Sequence, residues 1–162
     1  VSWGVFPGEP ENEVGSGDES GDFIFVCPTN LECVLAVGDV EDVPALRDWA
    51  SMLPRKTYGR VIVEVESPVQ IEPFERGLFP AGVSVTWVVR ATNAARPGAT
   101  AVRAADGWLD EWLRGDPMSG RYVQLWPGLG GNEWATSELR RIADELAETF
   151  AAATAFRGEL ND

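Results

Sequence analysis

Apolar and polar positions alternate along this chain in two periods. Phe23-Ile24-Phe25-Val26 and Leu31 to Val37 are short apolar runs separated by Cys27-Pro28-Thr29-Asn30, and each predicts a strand. The second run is apolar on both faces apart from Glu32, as expected of a central strand covered from two sides. Val43, Leu46, Ala50 and Leu53 then recur at helical spacing, and Leu53-Pro54 ends the helix. Arg60 to Val65 and Val83 to Val89 predict two more strands. The irregular stretch from Ser67 to Gly82 between them places Phe74, Leu78 and Phe79 to cover part of the sheet. From Thr100 a helix is predicted with Val102, Ala105, Leu109, Trp112 and Leu113 on one face, ending at Gly115-Asp116-Pro117. Tyr122 to Trp126 reads as a strand, and Pro127 to Asn132 as a turn with Asn132 as N-cap. Leu139, Ile142, Leu146 and Phe150 mark a helix running to about Thr154.

This order predicts an α/β fold, a three-layer Rossmann-like parallel sheet of about five strands with flanking helices. The organisation is an irregular N-terminal segment over 1–22, rich in Gly, Pro and acids, one domain over 23–156 and a polar tail over 157–162. A chain of 162 residues suffices for one buried core.

Charge and missing residue types narrow the chemistry. The net charge is −13, which excludes nucleic acid and anionic membranes as natural partners. No apolar run approaches a membrane span and no signal peptide is visible, so a soluble, cytoplasmic protein is expected. Histidine is absent, which removes imidazole acid–base chemistry and the commonest zinc ligand. No metal site and no catalytic residue is expected. Cys27 and Cys33 flank a turn; a disulfide fits the spacing, and two reduced, partly buried thiols suit a cytosolic protein better. Glu64 and Glu66 alternate with valines and read as a solvated strand end rather than a carboxylate pair. Trp49, Trp87, Trp108 and Trp112 read as core, whereas Trp126 and Trp134 flank the glycine turn and are placed for ring stacking.

The sharpest local signal is Gly38-Asp39-Val40-Glu41-Asp42-Val43-Pro44, where a buried strand hands over to a helix. Free backbone N–H groups at such a turn can hold a phosphate. Glu41 and Asp42 put negative charge in the same place, so two readings stand: nucleotide contact, or a turn capped by its own carboxylates. A carboxylate about 4 Å from a phosphate costs roughly 4 kcal/mol at an effective dielectric near 20.

These residues resemble the C-terminal domain of siderophore-interacting proteins, flavin-dependent ferric-siderophore reductases related to ferredoxin–NADP reductases. That family reads Gly-Asp-Glu-Thr-Ala-Leu-Pro-Ala where this chain has Gly38 to Ala45. Val63-Glu64-Val65, Val85-Thr86-Trp87-Val88-Val89-Arg90 and Leu139-Arg140-Arg141 match later family segments, and Gly130-Gly131-Asn132 stands where the family has Ala-Gly-Glu. The resemblance implies a domain that binds NADP or NAD through Gly38, Asp39, Glu41, Asp42, Pro44, Arg90, Gly130, Gly131 and Asn132. In that arrangement Arg90 would meet an adenosine 2′-phosphate, or alternatively pair with an acidic neighbour. The glycines at 128, 130 and 131 would let a dinucleotide come close, or simply make a tight turn. FAD is expected only from a separate domain or partner, since the family's Arg-x-Tyr-Ser/Thr flavin signature occurs nowhere in the sequence. The family's Thr is Glu41 here, its next Ala is Asp42, and its Glu is Asn132. The alternative is therefore a degenerate, non-catalytic relative serving as a protein-interaction or regulatory module, and a third, weaker reading is a site for another small ligand at the strand ends. The oligomeric state is left open.

Overall fold

β1 (Cys33–Asp39) runs through the middle of the sheet because every residue from Cys33 to Gly38 is apolar or small and is buried. The computed structural model describes residues 33–92 and 95–160. The strand expected at Phe23–Val26, the segment 1–22 and Cys27 lie outside them. Among the described residues the sheet has four strands, all parallel, in the order β3-β2-β1-β4. The other three are β2 (Tyr58–Val65), β3 (Gly82–Val89) and β4 (Val123–Pro127). β2 starts two residues ahead of the predicted Arg60.

Alternation along β1 and β2 sorts side chains to two faces. Val34, Ala36, Val61 and Val63 meet Val43 and Leu46 of α1 (Val43–Met52) on one face. Cys33, Leu35, Val37 and Ile62 meet α2 (Ala99–Leu109) and α3 (Glu133–Glu159) on the other. The result is the expected three-layer architecture. α3 continues past the predicted Thr154, to Glu159. After α2 the chain winds one wider turn, Asp110–Arg114. Trp112, on this turn, is not core: it is 39% exposed, stacked on Trp108 and capped by Arg121.

Two local devices fix the geometry. Gly59 sits in β2 at φ 141°, and a Cβ there would lie 1.9 Å from the Val34 carbonyl oxygen, so only glycine lets β2 approach β1. On the far face Arg114 donates to Glu145 at 2.6 and 2.7 Å and to Asp106 at 2.8 Å, tying the end of α2 to α3.

Gly59→Ala is expected to destabilise the protein by more than about 3 kcal/mol in urea unfolding, the range reserved for backbone clashes. Arg114 also holds the Glu145 carboxyl below the usual glutamate range. Its stabilisation is full above the unfolded-state value near ~4.3 and is lost as pH falls through the lower folded value. Glu145→Gln should therefore flatten the acid limb of the urea midpoint against pH, while changing stability at neutral pH by no more than about 1 kcal/mol because the pair is partly solvated.

Candidate functional site

The chain leaves β1 toward β2 on one side and pairs with β4 on the other, so the sheet's switch point lies between the carboxyl ends of β1 and β4. In open α/β sheets that crevice is where ligands bind. It is bounded here by Gly38 to Asp42 and by Pro127 to Asn132, two stretches that the sequence marks and the fold brings together.

The first turn is closed upon itself. After Asp39 the chain makes a single 3₁₀ turn, Val40–Asp42, before α1 begins. The Asp39 carboxylate accepts the Glu41 amide at 2.8 Å and caps the Asp42 amide in a capping box. The Val43 amide is taken by the Val40 carbonyl. Asp42 Oδ2 accepts the Asp39 amide at 3.0 Å and, from across the crevice, the Leu129 amide at 2.8 Å. Gly128 is glycine for this reason: a Cβ there would lie 2.5 Å from Asp42 Oδ2 and 2.7 Å from the Val37 carbonyl. Burial pushes the Asp39 carboxyl above its ordinary range, aided by the neighbouring acids and opposed by the Glu41 amide. Glu41 projects into solvent, and Pro44 sits exposed in the first turn of α1, where its missing N–H costs nothing.

A second carboxylate closes the start of α2. Glu64 is 2% exposed, not solvated as its strand-end position suggested. It accepts the amides of Gly98 at 2.9 Å and of Thr100 and Ala101 at 3.0 Å, together with Arg90 Nε at 3.0 Å. Arg90 also reaches Glu66 at 3.2 Å, and its side chain is 16% exposed. Its guanidinium, raised further above its ordinary value chiefly by the Glu64 hydrogen bond, is spent on protein carboxylates. The signal for Glu64 was present in the sequence: it shares a strand face with Ile62, under a helix, and an acid there needs donors.

The third helix start is capped as expected. Asn132 Oδ1 accepts the Ala135 amide at 3.1 Å, and its Nδ2 donates to the Pro97 carbonyl. Gly130 and Gly131 are exposed, with open space where a side chain would stand. Trp126 packs on Trp49 with ring centroids 6.0 Å apart, and Arg96 lies over Trp134 at 5.1 Å, so both rings already have protein partners. Leu129, which the sequence did not single out, holds a left-handed backbone at φ 61° and is 3% exposed. The hydrogen bond that its backbone N–H donates to Asp42 and its buried side chain offset that strain. Cys33 is a free, buried thiol whose pKa burial pushes up to about 11. Among the described residues no group of three or more candidate ligands could hold a metal, and no helix is long and apolar enough to cross a membrane.

A pyrophosphate does not fit the crevice as these side chains stand. The amides that would receive it at the first turn and at Leu129 already serve Asp39, Val40 and Asp42, and the α2 amides serve Glu64. An anion brought there would meet carboxylates at contact distance.

Strand order and layering together define a doubly wound, Rossmann-like α/β domain. The chain belongs to the siderophore-interacting protein family, whose match extends over residues 31–153. Among solved structures it is similar to the siderophore-interacting protein SipS from Aeromonas hydrophila, at 21% identity and TM-score 0.40, over 59% of this chain and 37% of that one. It is also similar to a siderophore utilization protein from T. fusca, at 23% identity and TM-score 0.49, over 70% of this chain and 39% of that one. The chain therefore spans well under two thirds of either relative's length. No curated protein matches it.

Replacing Glu64 leaves three amides and the Arg90 Nε–H without their acceptor, with Glu66 still facing the guanidinium. Glu64→Ala is expected to cost about 3–5 kcal/mol in chemical denaturation. Glu64→Gln, which keeps the volume and one acceptor oxygen, should cost less.

Proposed function

We propose that this chain is the nucleotide-side scaffold of a ferric-siderophore-reductase-type protein, in a form that does not hold NADP or NAD by itself. It works beside FAD carried by a separate domain or partner, as a protein-contact module rather than a complete reductase. Membership of the siderophore-interacting family supports the reductase setting. The observation that carries the rest is the 2.8 Å bond from the Leu129 amide to Asp42, which fills the switch-point crevice with the chain's own carboxylate. A helix start and its neighbouring amides attract an anion only while their donors are unspent.

A second reading, direct NAD(P)H binding by the wild-type chain, draws on Arg90, which directly follows β3 in the segment that resembles the family. The two readings separate in one titration. NADPH and NADH are added to the intact chain and tryptophan fluorescence is followed, Trp126 and Trp134 being next to the crevice. The wild type is expected to show no saturable change up to millimolar nucleotide, and the Glu41→Thr, Asp42→Ala double variant is expected to gain saturable quenching. Micromolar saturation by the wild type, lost in Arg90→Ala, overturns the closed-crevice reading in favour of direct binding.

A further inference from the structure

Parallel strands β2 and β3 are normally joined by a crossover helix that covers the sheet between them. Here the connection holds only one short 3₁₀ turn, Pro68–Gln70, and among the described residues no helix covers that face of β3. What remains is a groove of about 1010 Å³ between the end of α1, the 71–81 loop and β3. Ala50, Leu53, Phe74, Phe79, Val83 and Trp87 line it, with Phe74 stacked on Trp87 at 5.6 Å and edge-on to Phe79 at 5.1 Å. The rim is basic: Arg55 lines it, and the exposed Lys56 and Arg76 adjoin it. Its acid, Glu75, is paired with Arg47.

The chain carries a segment of complementary character. Residues 1–32 contain seven acids (Glu9, Glu11, Glu13, Asp18, Glu19, Asp22 and Glu32) and no Lys or Arg, and Asp18, Glu19 and Asp22 come just before Phe23-Ile24-Phe25-Val26. The reach is sufficient. The six residues between Val26 and Cys33 extend to about 20 Å. Cys33 is in register with Tyr58 and Tyr58 with Gly82, so the start of β3 lies two strand spacings away, about 10 Å.

We propose that the groove is the docking site of the chain's own segment 18–26. Phe23 to Val26 lie on the aromatic floor, and Asp18, Glu19 and Asp22 face Arg55, Lys56 and Arg76. The segment supplies the cover that the β2–β3 connection lacks. This docking is independent of whether the switch-point crevice binds a nucleotide.

Hydrogen exchange on the full chain, followed by mass spectrometry at two protein concentrations, tests it. Residues 71–87 should be protected equally at both concentrations, and should exchange at least about tenfold faster in Phe23→Asp, Phe25→Asp, with β1 and α3 unchanged. Arg55→Glu, Lys56→Glu, which alters only exposed rim residues, should cause the same loss, and adding Asp18→Lys, Glu19→Lys, Asp22→Lys should restore protection. Unchanged exchange in Phe23→Asp, Phe25→Asp overturns the proposal. So does protection that rises with protein concentration, which assigns the groove to a second copy of the chain.

Discussion

A carboxylate that cannot reach water organises this molecule. Glu64 lies at the carboxyl end of β2 beneath α2, where an uncompensated charge would be very costly. Its four donors come from the start of α2 and from Arg90 at the end of β3. One side chain thereby sets where α2 begins, how it lies on the sheet and where the edge strand stops. The arrangement is polar but fully partnered, the condition under which a buried network specifies a single structure.

The same logic repeats along the carboxyl edge of the sheet. Asp39 and Asp42 serve the first turn, Glu64 serves α2 and Asn132 serves α3. Each of these helix starts thus has its donors taken up by the chain's own side chains. Asp42 accepts the Leu129 amide, and its carboxylate together with the Val37 carbonyl leaves no room for a side chain at Gly128. The fold leaves the chemistry of the crevice open, and a few side chains decide it.

Much of this was legible in the sequence, and what was not has physical causes. Leu31 to Val37 announced a central strand because two covered faces leave no room for polar alternation, and β1 obeys. Asn132 announced its cap because Asn before a helical stripe has one common use. At the first turn the carboxylate caps are present, and their ingredients were local. Glu64 departs from the solvated strand end expected of it because the amides that bury it come from a segment more than thirty residues on. Trp112 leaves the core face because a helical wheel assumes regular winding, whereas the chain widens after Leu109. Leu129 carried no signal at all, since a left-handed leucine is set by tertiary contacts alone.

The bond between Asp42 and Leu129 joins residues 87 apart, while α1 and β2 follow β1 directly. Loop-closure entropy delays contacts of such separation until the intervening chain is organised. Pairing of β4 with β1 places the Leu129 amide on the Asp42 carboxylate. In the folded chain the fourth strand and the filled cleft therefore come as one arrangement: the turn that leaves β4 carries the amide that closes the cleft.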